Sequence, residues 1–360
     1  MRSVRDIQIF ENVPIVVRAA LNVPIKNGEV ANDYRLRRAL PTIKFLSERG
    51  AKVILISHIG EKGTETLAPV AQALGKLISG VSFSPETIGT DARAAIRSLA
   101  PGQIIVLENL RRHAGERENS RAFARELAAL GDIFVEDSFD TCHRMHASTV
   151  GVPEILPSYA GLLLEDEMRE LSQALTPKCP SLAVIGGMKF STKETVLTRL
   201  LTLYDHVFVG GALANTFLKV SGKNVGKSLV SDSDEATIKK LIANSKLVLP
   251  IDSVIKDEAI LDIGPGSIAL LADLAKKSKT ILWNGPLGNY ENGFSGATNA
   301  FAEAVTNSSA YSILGGGDTI AAIEGLGLLP KFSFVSTGGG AMLDFLAAGT
   351  LPGIEALNNY

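Results

Sequence analysis

Two lysines and a glycine pair sit together near the middle of the chain. The stretch Ala183–Lys193 reads A-V-I-G-G-M-K-F-S-T-K. It predicts a short buried strand over Ala183–Ile185, a Gly186-Gly187 turn, and a helix entrance flanked by Lys189 and Lys193. Ser191 stands as the N-cap, and Glu194, three residues on, completes a capping box. Glycines let the backbone approach an anion, and a helix start adds free N–H groups and a favourable dipole. Two ammonium groups at the same place ask for a phosphate-rich ligand. A second set of polar residues follows apolar runs in the first half of the chain. Asn22 comes after Pro14–Ala20, His58 after Lys52–Ser57, Arg111 and Arg112 after Gln103–Leu107, and Arg144 lies in the polar segment after Asp132–Val135. Such a basic rim suits a small acidic ligand.

The elements that must hold these groups alternate. Between the strands the pattern predicts a helix around Tyr34–Arg49, with Leu36, Leu40, Ile43 and Leu46 on one face, a kink or restart at Pro41 and an end at Gly50. A second helix carries Val70, Leu74, Leu77 and Ile78, and a third, from Asn119, packs Phe123, Leu127 and Leu130. A helix over Leu164–Leu175 shows an apolar stripe and a polar face of Glu165, Asp166, Glu167 and Glu170. Alternation resumes with strands at Ala183–Ile185, His206–Val209, Lys246–Leu249, Thr280–Trp283, Ser312–Leu314 and Phe332–Val335. Several run into glycine-bearing turns, among them Gly210-Gly211, Asn284-Gly285, Gly315–Thr319 and Gly338–Gly340. The expected fold class is α/β, with two similar-sized, doubly wound parallel-sheet domains of Rossmann-like kind joined by a helix, and a cleft between them. In such sheets ligands bind beyond the carboxyl ends of the strands. The expected division is residues 1–160, an interdomain helix and hinge over 161–178, and a second domain over 179–344.

Composition narrows the function. The chain has 360 residues, a net charge of −2 and only two cysteines. That composition argues against a nucleic-acid partner, a membrane partner and a disulfide framework, and a cytoplasmic monomer is the expectation. The N-terminus shows no secretory pattern. Gly222–Ser228 resembles a Walker A loop, but its first glycine is one residue too close. Cys142-His143-x-x-His146 has no clear further ligand for zinc. Hydrolase, dinucleotide and protein-kinase signatures are missing.

Taken in order, R-A-A-L-N-V-P, N-D-Y-R, S-H-I-G, L-E-N-L-R, C-H-R-M-H-A-S-T-V-G-V, G-G-M-K-F-S-T-K, W-N-G-P-L-G-N-Y-E, G-G-G-D-T and S-T-G-G-G-A resemble the phosphoglycerate kinase family from about Val16 to Leu357. The resemblance implies transfer of a phosphoryl group between Mg-ATP or Mg-ADP and the carboxylate of 3-phosphoglycerate, forming 1,3-bisphosphoglycerate. It implies an acid-binding first domain, completed by the tail 345–360, and a nucleotide-binding second domain. Carried over by position, Asn22, Arg35, His58, Arg111 and Arg144 would hold the glycerate and its phosphate. Gly187, Lys193, Gly211, Asn284, Glu291, Gly316, Gly317, Asp318 and Thr319 would hold the nucleotide, with Asp318 on Mg²⁺. Arg35, Lys189 and Gly339 would stabilise the moving phosphoryl group.

The chain departs from that pattern at several places. Ala20 stands for an Asp, Glu61 for an Arg, Asp140 for a Gly, Thr192 for an Asp and Ala212 for a Gly, and the segment between Asp252 and Asp262 is short. Weakened glycerate binding is one expectation. A nucleotide-binding pseudoenzyme, or a kinase for another small carboxylate, are the alternatives.

Overall fold

The computed structural model describes residues 1–8 and 10–358. They form two compact units, Met1–Met168 with Thr350–Tyr360, and Arg169–Gly349.

In the first unit six strands make one parallel sheet: β1 Pro14–Ala19, β2 Lys52–Ile56, β3 Val81–Ser84, β4 Ile104–Leu107, β5 Ile133–Asp137 and β6 Ser158–Ala160. Their order is β3-β4-β2-β1-β5-β6. Period-two alternation divides the central strands between two cores. Ile15 and Val17, Val53 and Leu55, and Ile104 and Val106 pack one face with Leu36, Ile43 and Leu46 of α1 (Tyr34–Ser47) and Val70 and Leu74 of α2 (Ala68–Leu77). Val16, Ile54 and Ile56, with Ile105 and Leu107, pack the other, against Ile96 of α3 (Gly89–Ser98) and Phe123 and Leu127 of α4 (Arg121–Ala128). Burial on both faces is why these strands read as continuous apolar runs.

α1 is continuous through Pro41, against the expected kink. Pro41 lies on the exposed face, where the carbonyl that loses its partner meets water. Strand β3, helix α3 and strand β6 were not evident from the pattern; V-S-F-S and S-Y-A interleave hydroxyls with too few apolar residues to stand out. The helix expected at Leu164–Leu175 runs over Leu162–Ala174 (α5), and Glu167, assigned to its polar face, is fully buried.

The second unit repeats the architecture with β7 Ser181–Ile185, β8 His206–Val209, β9 Leu247–Val248, β10 Thr280–Asn284, β11 Tyr311–Gly315 and β12 Phe334–Val335. All pairs are parallel in the order β9-β8-β7-β10-β11-β12. Chain direction along the sheet reverses between β7 and β10, the place where open α/β sheets leave a crevice. A separate antiparallel hairpin, Ser253–Lys256 with Ala259–Ile263, fills the segment noted as short.

The C-terminal residues return to the first unit. Helix α6, Pro352–Ala356, packs on the turn after β5: the Gly353 N–H donates to the Cys142 carbonyl at 2.8 Å. A Cβ at Gly353 would lie 2.7 Å from Thr149 Cγ2 and 3.0 Å from Cys142 Cα. Gly353→Val should therefore destabilise the first unit by about 1–3 kcal/mol. Urea denaturation followed by circular dichroism checks this; an unchanged midpoint would mean that the contact yields without strain.

Candidate active site

The carboxyl ends of β1, β2, β4 and β5 gather the acid-rim candidates of the first unit. Asn109, fully buried, is the bracket. Its Oδ1 accepts from the Ile59 and Arg111 amides, and its Nδ2 donates to the Ile59 and Glu65 carbonyls. That ties the loop after β2 to the loop after β4. Arg111 donates through Nη1 to the Gly60 carbonyl. Its Nε is buried and has no partner among the described residues. Asn22 accepts the Gly60 amide on Oδ1 at 3.2 Å, and Arg35 Nη1 donates to the Asn22 carbonyl at 2.6 Å.

Beneath them lies Arg18, 1% exposed. Its guanidinium donates to Ser148 Oγ at 3.1 Å, Ser57 Oγ at 3.3 Å, the Ala19 carbonyl at 3.1 Å and His58 Nδ1 at 2.9 Å. A guanidinium cannot accept, so Nδ1 of His58 carries no proton and Nε2 holds it. Burial pushes the His58 pKa well below its ordinary value, helped by the charges of Arg18, Arg111 and Arg35. His146 is lowered to about 4 by burial and then by Arg18, Arg111, Arg144 and Arg117. Glu116 lies 3.8 Å from His146 but is committed to the Ser148 amide and hydroxyl at 3.0 and 2.6 Å, so burial and the four cations prevail. Arg35, Arg111 and Arg144 thus share one electrostatic neighbourhood. Arg144 itself is exposed.

The second unit brings glycine turns together at the β7/β10 crevice. Gly187 and Gly211 have φ of +89° and +62°, and a Cβ at Gly211 would lie 2.8–2.9 Å from the Gly187 amide nitrogen and carbonyl and the Pro286 carbonyl. A Cβ at Gly339 would meet Gly316 Cα at 2.6 Å. Asn284, ending β10, donates to the Gly339 carbonyl at 3.3 Å, while Thr319 Oγ1 accepts the Gly285 amide at 2.8 Å. A cavity of about 400 Å³ opens here, lined by Gly187, Gly211, Glu291 and Asp318 together with Leu218, Leu229 and Ile260. A largely apolar lining with a few polar groups is the form of a nucleotide or other small-molecule site. Burial lowers the Lys193 pKa, and Asp318, the charge that opposes this shift, is its electrostatic neighbour. Asp318 is exposed at the start of the short helix Gly317–Ile323. An accessible carboxylate on the wall of this cavity suits Mg²⁺, which keeps waters and takes one or two carboxylates plus phosphate oxygens. Among the described residues no cluster of three ligating side chains could cage a metal, zinc included.

One expectation needs correction. Ser191 does not cap a helix: the helix runs Glu194–Leu203 with Lys193 at its N-cap position and no side-chain cap bond, so the capping box is absent. Lys189 lies exposed on the preceding loop, its carbonyl accepting from Thr192 Oγ1 at 3.1 Å. Arg112, placed in the basic rim, is paired with buried Glu108 at 2.9 Å. Sequence reasoning also passed over Arg18, whose signal was a cation inside the apolar run P-I-V-V-R-A-A, and over Asn109.

The model of the phosphoglycerate kinase family matches residues 4–349. The phosphoglycerate kinase of Azorhizobium caulinodans is 43% identical over 95% of this chain and 96% of its own length. That of Pelotomaculum thermopropionicum is 41% identical over 99% and 98%. Among solved structures, the phosphoglycerate kinase of Coxiella burnetii aligns with a TM-score of 0.83 at 40% identity, covering 99% of this chain and 98% of that one. The enzyme of Pyrococcus horikoshii OT3 aligns with a TM-score of 0.90 at 29% identity over the same shares.

The neutral rim histidines set a pH dependence. Unfolded, His146 takes its proton near 6.5; folded, near about 4. Between these values the unfolded state binds more protons. The stability that neutral His146 contributes is therefore complete above pH 6.5 and is lost as the pH falls toward 4. Wild type should lose urea stability relative to His146→Gln across that window and run parallel to it above pH 7. Parallel behaviour throughout would show that His146 titrates as it does in the unfolded chain.

Proposed function

The chain belongs to the phosphoglycerate kinase family, and we propose that it moves a phosphoryl group between Mg-ATP and the carboxylate of 3-phosphoglycerate with a weakened grip on the acid. The observation that carries this reading is the neighbourhood of Arg35, Arg111 and Arg144 around the neutral His58 and His146 in a chain of net charge −2. Asn22, Arg35, His58, Arg111 and Arg144 bind the glycerate, His58 offering its Nε2–H. Gly187, Gly211, Asn284, Gly316, Gly317 and Thr319 present backbone and short polar groups to the nucleotide, Lys193 takes its phosphates and Glu291 its ribose. Asp318 holds Mg²⁺, which when bound neutralises phosphate oxygens.

The chemistry asks little covalent help of the protein. A carboxylate is already ionised at pH 7, so no general base is needed. Its oxygen bonds to the γ-phosphorus as the bond to the β–γ bridging oxygen breaks, and ADP leaves with that electron pair. Catalysis is then positioning and charge stabilisation, which fall to Arg35, Lys189 and the helix start at Gly339.

The weakening follows from Ala20 and Glu61. Loss of one contact to a hydroxyl costs about 0.5–1.5 kcal/mol, and loss of a guanidinium from a phosphate about 1.5–3 kcal/mol. Together they amount to roughly 30- to 2000-fold in affinity.

Purified chain with ATP, Mg²⁺ and 3-phosphoglycerate should form an acyl phosphate that hydroxylamine traps. Nucleotide binding without any trapped product would identify a scaffold that binds and does not turn over. Lys193→Ala should weaken nucleotide binding, whereas Lys189→Ala should lower kcat more than affinity. Equal, negligible effects of the two would return both lysines to ordinary solvated surface.

A further inference from the structure

Two carboxylates lie on the guanidinium groups of the acid rim. Glu61 Oε2 is 3.3 Å from Arg111 Nη1, and Asp140 Oδ2 is 3.5 Å from Arg35 Nη1. They differ in how they are held. The Glu61 side chain is 89% exposed and, among the described residues, pairs with Arg111, so it can swing into solvent. The Asp140 side chain is 7% exposed, and its Oδ1 accepts from Ser138 Oγ at 2.6 Å. The turn bearing Asp140 is clamped from behind by Gly353 on Cys142.

We propose that Glu61 and Asp140 are specificity-determining residues of the acid half-site, Glu61 a displaceable internal rival for Arg111 and Asp140 a fixed one on Arg35, so that the site holds a doubly charged phosphate more loosely than its guanidinium groups alone would. This deepens the phosphoglycerate reading and rests on it for the identity of the substrate. A phosphate reaching Arg111 must first move Glu61 aside, which is an affinity effect, because an exposed ion pair exchanges readily. A phosphate reaching Arg35 meets a guanidinium whose field is already answered by a carboxylate that stays. Like charges brought together away from bulk water repel strongly, so the second effect is the larger. It also reaches turnover, since Arg35 is assigned to charge on the group in transit.

The test pairs two isosteric variants, Glu61→Gln and Asp140→Asn, with two readouts. One is titration of the full chain with inorganic phosphate, followed by the arginine Nε–H signals in NMR. The other is kcat and KM for 3-phosphoglycerate at saturating Mg-ATP. Glu61→Gln should tighten phosphate about threefold to fivefold and lower KM alike, leaving kcat unchanged. Asp140→Asn, which keeps the acceptor for Ser138, should tighten phosphate about tenfold and raise kcat. A merely structural Asp140 would move the melting temperature and neither of these. Phosphate affinities within twofold of wild type in both variants overturn the inference, whatever the turnover. Tighter phosphate binding without turnover of 3-phosphoglycerate by any form sustains the inference and defeats the substrate reading instead.

Discussion

A charged group with no route to water has to be held by everything around it, and Arg18 is that group here. Its guanidinium draws acceptors from four places: the end of β1, Ser57 and His58 after β2, Ser138 after β5, and Ser148 in the turn that follows. Ser148 is in turn held by buried Glu116. Taking a cation out of water costs several kcal/mol unless its hydrogen bonds are made good, so these strand ends cannot drift independently. The acid rim is therefore preorganised from below. The same cation fixes the tautomer of His58, and burial, reinforced by the charges of Arg18, Arg111 and Arg35, keeps that ring neutral.

The second unit meets the same need for fixed geometry largely through its glycines. Its strand ends carry no side chain where they come closest: Gly186 with Gly285, Gly187 with Gly211, and Gly316 with Gly339 approach to distances that a Cβ would close. Backbone amides and carbonyls then become the surface offered to a ligand. One unit builds its floor from an arginine and hydroxyls, the other from peptide groups, which suits an anionic acid in one case and a polyphosphate in the other.

Against this frame the departures from the family pattern fall unevenly. Ala212 and Thr192 fall in the second unit, where backbone does most of the positioning. Glu61 and Asp140 change the charge of the rim of the first unit, where side chains do it. The rim keeps its guanidinium groups in place and brings a carboxylate to each of two of them. Its shape is that of an anion site, and its charge is lower than that shape suggests.

Much of this was legible in the chain. Buried parallel strands read as apolar runs, strand ends carry the polar residues, and the placement of Asn22, His58 and Arg111 on one rim followed from topology alone. Local chemistry misled where tertiary contacts overrode it. Ser191 has the type and spacing of a cap, yet the helix begins after it at Glu194, while Pro41 sits harmlessly on a wet face. Glu167 shares a polar stripe in sequence and a buried place in space. By itself the sequence determined the alternation of elements, the glycine turns and the inventory of charges, because periodicity and residue type are properties of neighbours along the chain. Only the folded structure decided which charges meet: Arg18 with His58, Arg111 with Glu61, Arg35 with Asp140. Those partners are far apart in sequence, and an ion pair depends on distance in space alone.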